Sequence, residues 1–279
     1  MRTVVYTPSV RTAAAPRDLV YIPAAMISRL TACVLLLATT THALAAAKRR
    51  KPSKPKTSEP AYVDIQDGDV AWQCESVVAT LKSGGVGVIP TDTGYAFCAR
   101  VNEKDAVRRL LDIKGADSGK KPLALLCRDF AAIDLYTRYQ SRTIFKVLKK
   151  ALPGPYTFVL PASEHLPRVL LKNGKRQWKR NTVGVRVPAD AVCAAILEAL
   201  DGEPLFCSSV PVSEDGDQLV CHGPLDVEGS WCSLVDFVVD AGPRPIEGST
   251  IYDLASDDGP TLVRERLGPP IPELDLVVA

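Results

Sequence analysis

Between residues 61 and 200 the chain alternates short β-rich apolar runs with stretches whose apolar residues recur at helical spacing, and this alternation restricts the fold more than any other feature. Val86 to Pro90 is a buried strand. It follows a helix capped by Asp69, with Ala71, Cys74, Val78 and Leu81 on one face, which ends at Gly84-Gly85. Asn102 can cap a second helix carrying Ala106, Val107, Leu110 and Leu111, followed by the short apolar run 122–127. Ser141 opens a third helix, which stops before Pro153-Gly154-Pro155. Strands are expected at 156–160 and 182–187, a helix capped by Asp190 runs through Leu200, and further strands lie at 204–210, 234–241, 249–254 and 261–265. Strands separated by helices of about ten residues give an α/β (α+β) domain. The last three strands have no helix between them, so the sheet is expected to be mixed.

Residues 1–47 are set aside as a targeting leader. They hold Arg2, Arg11, Arg17 and Arg29 against one acid, Asp18, and from Met26 show a basic start, an apolar stretch and an A-x-A-like end at Ala43 to Ala45. Residues 48–60, rich in Lys, Arg and Pro, are expected to be a disordered basic linker. A signal-like piece followed by a basic one fits a two-step plastid transit peptide; the alternatives are a mitochondrial transit peptide, a secretory signal or a cytoplasmic protein. One domain is expected over 61–270, with a tail at 271–279. The body has no 18-residue uncharged apolar run, so no membrane span is expected in the mature protein. Seven cysteines follow the leader, with no C-x-x-C pair, and read as reduced core thiols, which favours a reducing compartment. Net charge is only +2, so any attraction for polyanions must be local.

Ligands of α/β sheets sit where strands end and loops begin. Several strand ends here carry groups suited to an anion: Thr91, Asp92 and Thr93 after the first strand, Ser208 and Ser209 after another, and Arg186 and Arg264 within strands. Residues 114–126, KGADSGKKPLALL, superficially resemble a phosphate loop. However, three residues rather than four separate Gly115 from Gly119, and Lys121 stands where a Walker loop needs Ser or Thr for magnesium. What remains is a Gly-rich loop whose Lys114, Lys120 and Lys121 either clamp phosphates as point charges or form a solvated basic loop. KNGKRQWKR at 172–180 carries Lys172, Lys175, Arg176, Lys179 and Arg180 around Trp178, which reads as an RNA-binding patch or a solvated loop. His165 and His222 are the only histidines beyond the leader and lie near no metal-spaced cysteines, so no metal site is expected. No G-x-S-x-G, H-E-x-x-H or G-x-G-x-x-G motif occurs.

The ordered series GGVGVIPTDTGYAF, KGADSGKKPLALL, PGPYTFVL, VGVRVP, PLFCSSV, STIYDL and LVRERLG resembles the YrdC-like domain family over about residues 68–268. GYAFCARV, LCRDF and the stretch from PRVLLKN to TVGVRVP resemble its YciO branch most. The resemblance implies a single YrdC-like domain with a twisted mixed β-sheet flanked by helices and a basic concave face. Its synthase members make L-threonylcarbamoyladenylate from threonine, bicarbonate and ATP, with Mg2+, for the threonylcarbamoyladenosine modification of tRNA. Carried onto this chain, Thr91, Thr93 and Thr250 match the threonine-site positions, and Lys114, Thr157, Arg186, Ser208, Ser209 and Arg264 match the nucleotide-site positions. Lys121 adds charge beside Lys114. No side chain matches a catalytic acid or base, which suits a reaction run by positioning and charge neutralisation. Ala116 replaces the Arg of the synthases' Lys-x-Arg, Val-Pro-Val follows Ser208-Ser209 in place of their Ala-Asn, and Leu126 stands near their threonine-holding His. These departures imply altered or weak synthase activity. The alternative reading is a non-catalytic module that holds double-stranded RNA or tRNA on the basic concave face.

Overall fold

In a computed structural model of the chain, the described residues are 59–65, 68–115, 123–139, 141–167, 172–173, 176–177, 181–210 and 231–275. All lie within one compact unit, Lys54–Ala279. The strands in chain order are β1 (Ala61–Asp64), β2 (Val86–Ile89), β3 (Ala96–Arg100), β4 (Ala124–Leu126), β5 (Tyr156–Pro161), β6 (Lys172–Asn173), β7 (Arg176–Gln177), β8 (Thr182–Arg186), β9 (Leu205–Ser209), β10 (Phe237–Asp240), β11 (Thr250–Asp253) and β12 (Thr261–Arg264). The described helices are α1 (Val70–Gln73), α2 (Glu75–Lys82), α3 (Lys104–Lys114), α4 (Phe130–Tyr136), α5 (Arg142–Ala151), α6 (Ala191–Ala199) and α7 (Pro272–Asp275). Ten strands form one sheet in the order β1-β10-β2-β3-β9-β4-β8-β5-β11-β12, and β6 and β7 form a separate hairpin. The sheet is mixed: β2, β3, β9 and β4 pair antiparallel in succession, whereas β4 with β8, β5 with β11, and β10 with both β1 and β2 are parallel.

Alternation along each strand divides the core between the two faces. One face buries Val86, Val88, Phe97, Leu125, Phe158, Val185, Phe206 and Tyr252 against apolar residues of α3, α4, α5 and α7. The other buries Ile89, Cys98, Leu126, Leu205, Cys207, Phe237 and Val239 against α2 and α6. The caps at Asp69, Ser141 and Asp190 form as expected, each side chain accepting a backbone N–H of its helix's first turn.

Four features depart from the sequence reading. The helix expected from Asp69 onward is two helices, because Cys74 leaves helical geometry at ψ 0° and ends α1. Asn102 does not cap α3: its amide donates to Glu203 Oε1 at 3.0 Å, and that carboxylate also pairs with Arg100. Strand β1, strand β3 and helix α4 are additional elements. Ile271 and Leu274, expected in a tail, are buried in the core, with α7 packed on α5. Residues 1–58, which hold the leader and nearly all of the expected linker, lie outside the described residues. No described helix is long and apolar enough to cross a membrane.

The expectation of reduced thiols throughout is corrected at one position. Cys74, Cys98, Cys127, Cys193 and Cys207 are free and buried, but Cys232 is disulfide-bonded, and its partner lies outside the described residues.

Gly87 is required sterically. A Cβ there would stand 2.4 Å from the ring of Phe237, its partner in the β2–β10 ladder. Gly87→Ala is expected to cost about 1–3 kcal/mol through overpacking, read as a lower denaturation midpoint with an unchanged slope. Burial drives the Cys98, Cys127 and Cys193 thiols well above a thiol's ordinary 9.0. In the native protein these thiols should resist a disulfide reagent at pH 8 and react on unfolding. Their raised values stabilise the fold fully below pH 9.0, the unfolded thiol value, and this stability is lost as the pH climbs from there towards the folded values. The denaturation midpoint should therefore fall above about pH 9.

Candidate anion-binding site

The site begins at the turn joining β2 to β3. Pro90 ends the strand, and Thr91 and Gly94 exchange backbone hydrogen bonds, Thr91 N to Gly94 O at 3.0 Å and Gly94 N to Thr91 O at 3.3 Å. Gly94 takes φ 128°, a conformation open to glycine. The Thr91 hydroxyl donates to Gly94 O at 2.5 Å and accepts the Thr93 N–H at 3.3 Å. Thr91 is therefore a buried structural member of the turn, and it leaves Asp92 and Thr93 to point elsewhere.

Both point to Arg186. Arg186 Nη2 donates to Asp92 Oδ1 at 2.8 Å and to Thr93 Oγ1 at 2.5 Å. Asp92 Oδ2 accepts the Ala189 N–H at 3.1 Å, which ties the turn to the chain leaving β8. Both partners are buried, with side chains 7% and 8% exposed. Ladder register alone would not bring them together. Arg186 lies level with Leu126, and Leu126 with Leu205, at the start of β9, whereas Ala96 beside the turn pairs with Ser209 at its end. Those rows are four residues, about 13 Å, apart. Four strand-to-strand steps from β2 to β8 accumulate a twist of roughly 80–100°, which brings diagonal corners of a sheet together over one face.

The guanidinium is incompletely satisfied. Arg186 Nε is buried and has no hydrogen-bond partner. A buried donor without an acceptor is costly unless a ligand or water answers it. Two further cations lie nearby. The positive charges of Arg186 and Lys114 both reach the buried Cys207 thiol, whose upward shift by burial they oppose. Burial, with the charges of Arg266 and Arg186, lowers the Arg264 value. Arg264 is aimed by two donations to Ser249 O, from Nε at 3.2 Å and Nη2 at 2.8 Å. The Ser249 hydroxyl lies 2.7 Å from that of Thr157. A Cβ on Gly184 would press on Thr157 Cγ2 at 3.1 Å, so the glycine makes room for Thr157. Arg186, Arg264, Thr157 and Ser249 thus form a polar, cation-rich cluster on the sheet face shared with Leu126. Anions are the ligands such a cluster can hold, by charge-assisted hydrogen bonds.

The expected residues divide accordingly. Thr93 contacts Arg186, Thr157 contacts Ser249, whose carbonyl holds Arg264, and the charges of Arg264 and Lys114 lie within electrostatic reach. Ser209 lies on the same face, pairing with Ala96, but Ser208 pairs with Phe97 and projects to the opposite face. Thr250 also lies apart. It alternates with Tyr252 onto the α5 side, fully buried, where its hydroxyl donates to Gly268 O at 2.5 Å and accepts the Arg266 N–H at 2.9 Å. That hydroxyl fixes the end of β12 rather than facing the cations. Lys121, Ala116, Lys175, Lys179 and Arg180 lie outside the described residues. Lys172 and Arg176 are described only as backbone of the β6–β7 hairpin. Ser249 is a site member that strand-end reasoning missed, and Asp92, named among the strand-end groups, was not foreseen as the partner of Arg186. For Asp92 the available signal was a carboxylate between two threonines at a strand terminus.

Thr250→Val strips both bonds from a buried site and is expected to cost about 1–3 kcal/mol in chemical denaturation while leaving anion affinity unchanged.

The family model described as telomere recombination, for the Sua5, YciO and YrdC domain, matches residues 79–266. The uncharacterized protein YciO of Escherichia coli is 34% identical over 191 residues, spanning 68% of this chain and 87% of that protein. Its crystal structure superposes with a TM-score of 0.64, at 31% identity, over 76% of this chain and 97% of YciO. Human threonylcarbamoyl-AMP synthase is 30% identical over 187 residues, 64% of this chain and 62% of the synthase. Pyrococcus abyssi Sua5, solved in complex with L-threonine, shares the fold at a TM-score of 0.62 and 24% identity, over 79% of this chain and 61% of Sua5. With its mixed sheet, its flanking helices and a match over most of its length, the chain belongs to the Sua5/YciO/YrdC family.

Proposed function

We propose that the chain binds a nucleoside triphosphate and a small amino acid at the Arg186–Arg264 cluster and acts as a threonylcarbamoyl-AMP synthase-like enzyme. The observation that carries this reading is the buried, unanswered Nε of Arg186, with Asp92 as its paired carboxylate and the Arg264 charge within electrostatic reach. Such a site suits a phosphate chain, the anion of ATP. Similarity to the human synthase and a shared fold with a threonine-complexed Sua5 support the choice of substrates. In the proposed reaction, the threonine amine adds to the carbon of bicarbonate and its hydroxyl leaves as water, which gives a carbamate on the amino-acid nitrogen. A carbamate oxygen attacks the α-phosphorus of ATP, the bond to the β-phosphate oxygen breaks, and pyrophosphate leaves with the electron pair. Arg186, Arg264 and Lys114 neutralise the charge that builds on the phosphate oxygens, and the hydroxyls of Thr93, Thr157 and Ser209 orient the reactants. The described residues contain no cluster of three side chains able to hold a metal ion, so Mg2+ enters this scheme as the triphosphate's own counter-ion.

Isothermal titration of the full-length protein with ATP, with and without threonine, tests the reading. ATP should bind, and threonine should tighten it. Arg264→Ala should weaken ATP by about tenfold or more, the worth of a charged hydrogen bond. Incubation with ATP, labelled bicarbonate and threonine should yield a labelled adenylate and pyrophosphate. Absence of nucleotide binding sinks the proposal; binding without product reduces it to a binding site. The expected RNA patch at 172–180 has no described side chain, and the RNA-module reading gains no support from the described contacts.

A further inference from the structure

The Arg186 guanidinium is unevenly occupied along its Nε–Nη2 edge. Its Nη2 is taken by the chain's own acceptors, Asp92 Oδ1 at 2.8 Å and Thr93 Oγ1 at 2.5 Å, and its Nε is buried without an acceptor. Asp92 is anchored independently by the Ala189 N–H at 3.1 Å, which restrains the carboxylate when a ligand arrives. Because Nε and Nη2 are adjacent donors, any anion at Nε must sit close to this buried negative charge, where solvent screening is weak. We infer that Asp92 is a specificity-determining residue of this pocket: a built-in counter-anion that penalises naked polyanions and favours an anion arriving with its own cation, as a metal-chelated phosphate chain does. The inference rests on the anion-pocket reading above and adds to it the charge state of the ligand that the pocket accepts.

The same carboxylate also orients Arg186, and the two roles predict opposite results. If Asp92 only orients, its loss weakens every anion. If it discriminates, its neutralisation strengthens bare anions selectively. Inorganic pyrophosphate is the probe, titrated calorimetrically into the full-length protein at constant ionic strength, once with a chelator and once with saturating Mg2+. The wild type should bind the magnesium complex more tightly than the bare anion. In Asp92→Asn, which keeps an acceptor for one of the two N–H groups, bare pyrophosphate should bind at least about tenfold tighter than in the wild type, and the preference for the magnesium complex should shrink by a similar factor. Thr93→Val removes the neutral acceptor from the same Nη2 and should keep the wild-type preference. Asp92→Ser is measured in parallel, because it removes the charge with less bulk if the Asn variant does not fold. An unchanged preference, or weaker binding of both forms in a folded Asp92 variant, overturns the inference and leaves the pocket standing. No binding of pyrophosphate in either form by the wild type overturns the pocket reading itself.

Discussion

The architecture of the site depends on one buried ion pair. Arg186 ends a strand near the middle of the sheet, Asp92 sits in a hairpin turn four strands away, and both are almost wholly removed from water. A buried guanidinium cannot be left alone, and breaking such a pair is far more disruptive than its net contribution suggests. The pair therefore dictates that the β2–β3 turn folds down over the sheet. It also fixes which donor of the guanidinium is left to face a ligand. The sheet's twist makes the meeting possible, and the charge requirement makes it specific.

Around that pair the chain uses its polar groups in two ways. Thr91 and Thr250 direct their hydroxyls to backbone groups, so they hold the turn and the end of β12 in place. Thr93, Thr157 and Ser249 direct theirs to one another or to an arginine. Thr157 and Thr250 are divided between site and scaffold by which face of a strand they occupy, and Thr91 and Thr93 by their places in the turn. A shift of one residue in register would turn Thr157 and Thr250 to the opposite faces.

Much of the fold was legible because it rests on local signals. Asp69, Ser141 and Asp190 are caps with short side chains ahead of apolar periodic stretches, and each caps its helix. Asn102 has the same appearance but is not the cap: α3 starts one residue later, with Glu103 at the cap position, and the Asn102 amide donates to Glu203 instead. The site was legible only as a set of strand ends. Arg186 and Thr93 could be singled out, but their contact depends on accumulated twist, which no single segment encodes. Ser208 and Ser209 differ only in the direction of one side chain, and that direction follows from pairing with β3. The cystine at Cys232 was illegible because no C-x-x-C spacing marks it.

The contact between Gly87 and Phe237 has a consequence for how sequences of this family are read. The aromatic ring fills the volume that a side chain on the neighbouring strand would need, so the two positions share a single allotment of space. Bulk can migrate from one to the other, but it cannot be added at either alone. Paired exchange, with a larger residue at 87 accompanied by a smaller one at 237, is the route by which this strand junction could drift without losing its shape.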